Sequence, residues 1–208
     1  MRNETEMQPS HSNLQNLWQP TLVGKHFVAR PLREDDFEAL FAAASDAKIW
    51  EQHPVPDRGT RPKFEIYFRT GIESHGALIV HESSTGAVIG SSRYTAFDPA
   101  KRTVEIGYTF LTRNHWGTGT NRELKSLMLN HAFQHVDTVE FVVGVRNVRS
   151  RKAMENLGGK LARTLVEREG GRVDAASSVP GVVVAEVLSP SPPQATKRTA
   201  AATPVRPA

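Results

Sequence analysis

One stretch constrains this chain more than any other: Leu111-Thr-Arg-Asn-His-Trp-Gly-Thr-Gly-Thr-Asn-Arg-Glu123. It joins a run of strand character, Val104 to Leu111, to one of helical character, Glu123 to about His135, and Gly117 and Gly119 fall at the junction. Glycine admits a positive φ and lets backbone come close to a ligand. The first turn of a helix adds unpaired N–H groups and the positive end of the helix dipole. A junction of this kind suits an anion, above all a phosphate or pyrophosphate. The same two glycines also serve an ordinary strand-to-helix turn, and the loop alone leaves both possibilities open.

The 208 residues have room for one domain with a full core, plus tails. No apolar run approaches the roughly 18 residues of a membrane span. The start, Met1-Arg-Asn-Glu-Thr-Glu6, lacks the pattern of a signal or transit peptide, so the expectation is a cytoplasmic protein with no membrane partner. The absence of cysteine excludes disulfides, thiolate metal sites and cysteine nucleophiles, and no metal is expected. The net charge of +4 gathers at the end: Ser189 to Ala208 holds Lys197, Arg198 and Arg206 and no acid. Three scattered cations without aromatics make a poor surface for nucleic acid.

Along the chain, residues 1–20 are polar, with Leu14, Leu17 and Trp18 as the only anchors, and form an expected flexible arm whose Trp18 can pack on the domain. Leu22 to Arg30 has strand character ending at Pro31. Acids at Glu34, Asp35 and Asp36 open a helix carrying Phe37, Leu40, Phe41 and Ala44 at helical spacing. A short helix is expected over Asp46–Glu51, ended by His53-Pro-Val-Pro56. Another, about Arg61 to Ser74, bears a stripe of Phe64, Tyr67, Phe68 and Ile72 that belongs mainly to the core. Strands at Ala77–Glu82 and Ala87–Tyr94 flank the turn Ser84-Thr-Gly86, and Phe97–Lys101 turns into a strand over Thr103–Leu111. After the glycine loop, Leu124, Leu127, Met128 and Ala132 share a helix face, with His131 beside them in a packing role. Thr138–Val145 is the most apolar strand and is expected at the centre of the sheet. Asn147 caps a helix over Arg149–Leu157, ended by Gly158-Gly159. Lys160–Glu167 is a further strand, Gly170-Gly171 its turn, and Gly181–Leu188 the candidate for a last one. Five of the final twenty residues are proline, and residues 189–208 are an expected disordered tail. The domain is thus expected over 21–188, and the order of elements is α/β with a mixed sheet.

That order, with a Gly-rich loop after the fourth strand, resembles the GNAT N-acetyltransferase fold. In its pyrophosphate signature, Gly117 and Gly119 match the two small positions, and the first position falls on Asn114, with Arg113 just before it. The phrase Ser91-Ser-Arg-Tyr94, Val104-Glu-Ile-Gly-Tyr-Thr-Phe-Leu111 and His115-Trp-Gly-Thr-Gly-Thr-Asn121-x-Glu-x-Lys125 is similar to the RimJ/RimL-type branch, which acetylates ribosomal-protein N-termini. Asn147-x-x-Ser150 followed by Asn156-Leu-Gly158 matches that branch's second block. The resemblance implies a mostly antiparallel central sheet with helices on both faces and splayed fourth and fifth strands. It implies acetyl-CoA as co-substrate, a primary amine (a protein N-terminus or a small molecule) as acceptor, direct attack in a ternary complex, and a monomer or homodimer.

On the same basis the coenzyme A site comprises Phe110, Leu111, Thr112, Arg113, Asn114, His115, Trp116, Gly117, Thr118, Gly119, Thr120, Asn147 and Ser150. Backbone amides from about Asn114 to Thr120 would hold the pyrophosphate, Leu111–Arg113 would offer an edge to the pantetheine arm, and Asn147 would bond that arm or cap its helix. An N–H near Phe110 or Leu111 would polarise the thioester carbonyl. An ammonium acceptor needs a general base. Glu105 is the candidate, on the strand leading to the loop and on the face expected to hold Gly107 and Thr109. A plain surface glutamate opposite Lys101 or Arg102 is the alternative. Met154 occupies the position where some relatives carry an acidic tyrosine, which leaves Ser150 as a candidate proton donor. His115 beside the glycines points outward in relatives. Two other functions stay open: a catalytically silent acyl-CoA sensor on the same fold, and a nucleic-acid-associated role for the basic tail.

Overall fold

The computed structural model describes residues 17–166 and 181–188. Most of the expected arm and tail and the Gly170-Gly171 turn lie outside these residues. Eight strands form one sheet: β1 (Leu22–Val23), β2 (Phe27–Pro31), β3 (Ala77–Glu82), β4 (Val88–Asp98), β5 (Thr103–Leu111), β6 (Thr138–Gly144), β7 (Lys160–Val166) and β8 (Gly181–Leu188). Their order is β1-β2-β3-β4-β5-β6-β8-β7, and every pairing is antiparallel except β5 with β6. The helices are α1 (Phe37–Ala44), α2 (Arg61–Glu73), α3 (Thr120–Ala132) and α4 (Val148–Glu155), with short 3-10 turns at Glu34–Asp36, Ala47–Ile49 and Arg113–His115.

The expected architecture holds, with three local corrections. The single strand over Leu22–Pro31 is a hairpin, because the chain reverses at Gly24, whose N–H donates to the Phe27 carbonyl at 2.9 Å. A Cβ on Gly24 would lie 2.4 Å from the Phe27 ring, so the turn has no room for a side chain. The short helix after Asp46 is only a 3-10 turn over Ala47–Ile49. Helix α3 begins at Thr120, three residues before Glu123, because Gly119 in a left-handed conformation already starts it. The last strand forms and inserts between β6 and β7.

The core has two faces. On one, Tyr94, Val104 and Ile106 pack against Leu124 and Met128 of α3, joined by Trp18, whose ring packs at a tilt against Tyr94 and Phe97. On the other, Leu40 of α1 and Phe64, Tyr67 and Phe68 of α2 cover Ile79 and Phe110. The stripe on α2 is therefore core, as its spacing suggested. Along β5, sequence position and sheet face stay in step until Tyr108. Arg93 pairs with Gly107 and Ser91 with Phe110, so β5 has one residue more than β4 between those pairs. Tyr108 takes the excess with a φ of 53°. This is a β-bulge, and it reverses which face the following side chains occupy.

Candidate active site

Strands β5 and β6 form a fork. Their parallel pairing covers only Thr103–Glu105 against Thr138–Glu140, and the rest of β5, with its bulge, runs free of β6. The mouth of the fork holds the loop from Thr112 to Gly119. Thr112 N–H donates to the Ile89 carbonyl at 2.8 Å, so by alternation Phe110 is also turned toward β4 while Leu111 turns its backbone to the fork. The Leu111 carbonyl already accepts the Trp116 indole N–H at 2.9 Å, which leaves the Leu111 N–H as the donor on that edge. The free edge also ends at Leu111, because Arg113–His115 coils into a 3-10 turn. The strand edge expected over Leu111–Arg113 is thus confined to its first residue.

The loop meets the requirements of an anion cradle, over a shorter span than expected. The N–H groups of His115 and Trp116 are committed to the carbonyls of Thr112 and Arg113, at 2.9 and 3.0 Å. Gly117 and Gly119 have φ of 74° and 91°, and a Cβ on either would meet nothing within 4 Å. Gly119 has no side chain to cap α3, and although the Thr120 N–H is held by Thr118 Oγ1 at 3.4 Å, the N–H groups of Asn121 and Arg122 in the first turn face that open side. Thr118 Oγ1 donates to the His115 carbonyl at 3.0 Å and pairs with Thr120 Oγ1 at 2.8 Å, which braces the turn. Arg113 forms an ion pair with Asp46 and so ties the loop to the segment after α1. Asn114 and Thr112 line a neighbouring cavity of about 290 Å³ with Ala42, Ala43 and Ile49. His115 Nδ1 lies 2.9 Å from Thr112 Oγ1, and its Nε2 lies 3.6 Å from Glu82.

Across the fork, Asn147 caps α4, its Oδ1 accepting the Ser150 N–H at 3.0 Å. Arg149 reaches back over the fork's mouth, with its guanidinium carbon 4.0 Å from the centre of the Trp116 ring and an N–H bonded to the Ile49 carbonyl at 3.1 Å.

Glu105 and Gly107 share the α1/α2 face, but Thr109 does not. The bulge at Tyr108 sends Thr109 to the α3 face, where it bonds Ser92 at 2.8 Å. Glu105 is shielded by the fold, and its Oε1 lies 2.7 Å from where a Gly107 side chain would begin. Burial, reinforced by the charge of Glu140 and opposed by Lys125, raises its carboxyl pKa to about 7. Lys125 closes the loop phrase in the sequence, which gives it no role. It is 2% exposed, and its ammonium bonds Thr109 Oγ1 at 2.5 Å and Ser92 Oγ at 3.1 Å and lies 5.5 Å from the Phe141 ring centre. Burial lowers its pKa to about 7, against a raising contribution from Glu105. Its place on the apolar stripe, three residues before Met128 and four before Leu129, was the available signal.

The acetyltransferase (GNAT) domain family model matches residues 26–160. The chain belongs to the GNAT acetyltransferase family. Its fold is similar to that of a GCN5-related N-acetyltransferase from Brucella melitensis, 21% identical, with a TM-score of 0.66 over 82% of this chain and 79% of that one. The spermidine N-acetyltransferase of Vibrio cholerae, solved with CoA and spermine, is 17% identical with a TM-score of 0.58, covering 79% of this chain and 96% of its own. The Microcin C7 self-immunity acetyltransferase, solved with acetyl-CoA and AMP, is 14% identical with a TM-score of 0.65, covering 83% and 98%. No curated protein matches the sequence.

Within this GNAT domain the α1/α2 face beside the bulge carries a second group of side chains that the sequence did not mark. Tyr67 donates its hydroxyl to the Tyr108 carbonyl at 2.7 Å and so holds the bulge. Arg93 donates to the Tyr67 carbonyl at 2.8 Å and stacks on Tyr108 at 4.2 Å. His53 lies against Trp50, and burial, then the charge of Arg58, lowers its pKa to about 4, so it is neutral. Among the described residues no group of three or more His, Asp or Glu is placed to hold a metal ion, and no helix is long and apolar enough to cross a membrane.

Proposed function

We propose that this protein is an acetyl-CoA-dependent N-acetyltransferase of the RimJ/RimL-like branch, acting on a primary amine by direct attack in a ternary complex. The observation that carries the proposal is the fork: β5 and β6 part immediately after Glu105 and Glu140, and an uncapped helix with two left-handed glycines stands at the mouth. Acetyl-CoA supplies the acetyl thioester. The amides from Gly117 through the first turn of α3 would hold its pyrophosphate, and the Leu111 edge its pantetheine arm. Asn147 has its amide nitrogen left for that arm while its oxygen serves as the cap.

Glu105 does the proton work. A carboxyl with a pKa near 7 takes a proton from an ammonium far better than one at the ordinary value of 4.5, and it remains ionised often enough at neutral pH to act. The Leu111 N–H is the donor facing the place where negative charge develops, a role worth roughly 3 kcal/mol in acyl transfer. Ser150, half-buried one turn into α4, would hold a proton at the opposite end of the fork.

Titration with acetyl-CoA followed by melting temperature, and then free-thiol release over a panel of amines, tests the proposal. Stabilisation with thiol release is the expected result. Stabilisation with no turnover of any amine makes the protein an acyl-CoA sensor instead, and no stabilisation removes both.

A further inference from the structure

The α1/α2 face of the fork carries two arginines, Arg58 and Arg93, and no carboxylate acts on either. Arg58 is half-buried, with its guanidinium carbon 5.8 Å from the Trp50 ring centre and 5.4 Å from that of Tyr67. Arg93 is 4% exposed and also lies 5.4 Å from the Tyr67 ring centre, so the two guanidinium groups are no farther apart than twice that distance. The groups that act electrically on Arg58 are two phenols and Arg93 itself, with no carboxylate among them. Burial and then the charge of Arg93 hold the Arg58 pKa below its ordinary value. The Nε of Arg93 is buried without a hydrogen-bond partner. Two desolvated cations that share one aromatic ring and act on each other destabilise a fold unless an anion joins them. Aromatic faces offset part of this but leave the N–H fork of Arg58 free to bond a planar carboxylate or a phosphate.

The cluster is also in the right place. Arg93 sits opposite Gly107, Tyr108 is the bulge itself, and Glu105 lies two residues earlier on the same face. An acceptor with its amine at Glu105 would extend its other end toward Arg58.

We propose that Arg58, backed by Arg93 on the Tyr67 and Tyr108 rings, is the anion subsite of the acceptor pocket, so that the acceptor is an amine that also bears a carboxylate or phosphate rather than a polyamine. This assignment rests on the acetyltransferase proposal, but its test does not depend on turnover. Calorimetric titration of the full chain, saturated with CoA, uses four acetylated probes: N-acetylglycine, N-acetylglycinamide, N-acetyl-O-phosphoethanolamine and N-acetylspermidine. The expected result is at least roughly tenfold tighter binding of one of the two anions than of the amide and the polyamine. Which anion binds more tightly separates a carboxylate acceptor from a phosphate one. In Arg58→Gln this preference is lost while CoA affinity is kept and the melting temperature does not fall, and Arg58→Lys retains part of it. Equal binding of anion and amide, tighter binding of the polyamine, no measurable binding of either anion, or a preference that survives Arg58→Gln would overturn the proposal. Absence of thiol release with every amine refutes the transferase instead, and it leaves the binding preference standing or falling on its own measurement.

Discussion

Replacing Lys125 with Met should convert a pH-dependent stability into a flatter one and shift the activity profile at the same time. The substitution keeps the apolar stem and removes the ammonium from a site that is 2% exposed. Folding lowers that ammonium's pKa from 10.5 to about 7, chiefly by burial. Between these two values the unfolded chain holds the proton and the folded one releases it. Wild-type stability therefore climbs with rising pH in that window, by about 1.4 kcal/mol per unit. From pH 7.5 to pH 9 the gain is about 2 kcal/mol, and Lys125→Met lacks it. Glu105 has the opposite slope, but it acts in the same direction on the difference between the two proteins. Its raised pKa stabilises the fold at low pH, and the benefit is lost as pH rises through about 7. Without Lys125 that pKa moves higher still, so in the variant part of this loss is carried above pH 7. Urea unfolding of both proteins at four pH values from 7.5 to 9 gives the difference directly, with all other titrations common to both. The variant's advantage should shrink by at least about 2 kcal/mol from the lowest pH to the highest. A difference that stays constant with pH would refute the account of Lys125 as a desolvated ammonium. The acid limb of the rate profile should move above pH 7 in the variant, and a limb that stays in place would show that Glu105 and Lys125 are not coupled.

Three other substitutions test separate parts of the structure. Glu105→Gln should lower kcat at neutral pH by roughly 100-fold or more while acetyl-CoA affinity stays nearly intact; equal loss of both would remove Glu105 from the proton step. Gly119→Ala has open space for its Cβ but a φ of 91°, so it should cost about 1–2 kcal/mol through backbone strain alone and weaken acetyl-CoA binding, as read by urea unfolding and titration. Trp18→Ala should cost about 3–5 kcal/mol, because the ring is 7% exposed and packs against Tyr94 and Phe97; an unchanged melting temperature would mean that Trp18 does not pack there in solution.

Most of the fold and part of the site can be read along the chain, because they rest on local patterns. The apolar runs of β3 to β6 and the turns between them, the stripes on α2 and α3, the Asn147 cap and the two glycines each depend on residues close in sequence. The two blocks around Gly117 and Asn147 named the family's chemistry for the same reason. What stayed hidden arises between distant segments. One extra residue at Tyr108 turned Thr109 to the opposite face, and no local pattern announces a bulge whose partner strand lies beyond a turn. The commitment of the His115 and Trp116 amides depends on how the loop coils after Leu111.

By itself the sequence determined that a strand, a glycine loop and a helix follow one another here, and that Glu105 precedes them. Only the tertiary structure decided the electrical state of the site. Glu105 acquires a pKa near 7 because the fold buries it and sets Glu140 of β6 beside it, against the opposing charge of Lys125 from α3, and Arg58 becomes a desolvated cation because it is packed against Trp50 and Tyr67. Charge and hydration depend on what surrounds a group in space, and for these residues those surroundings come from other segments of the chain.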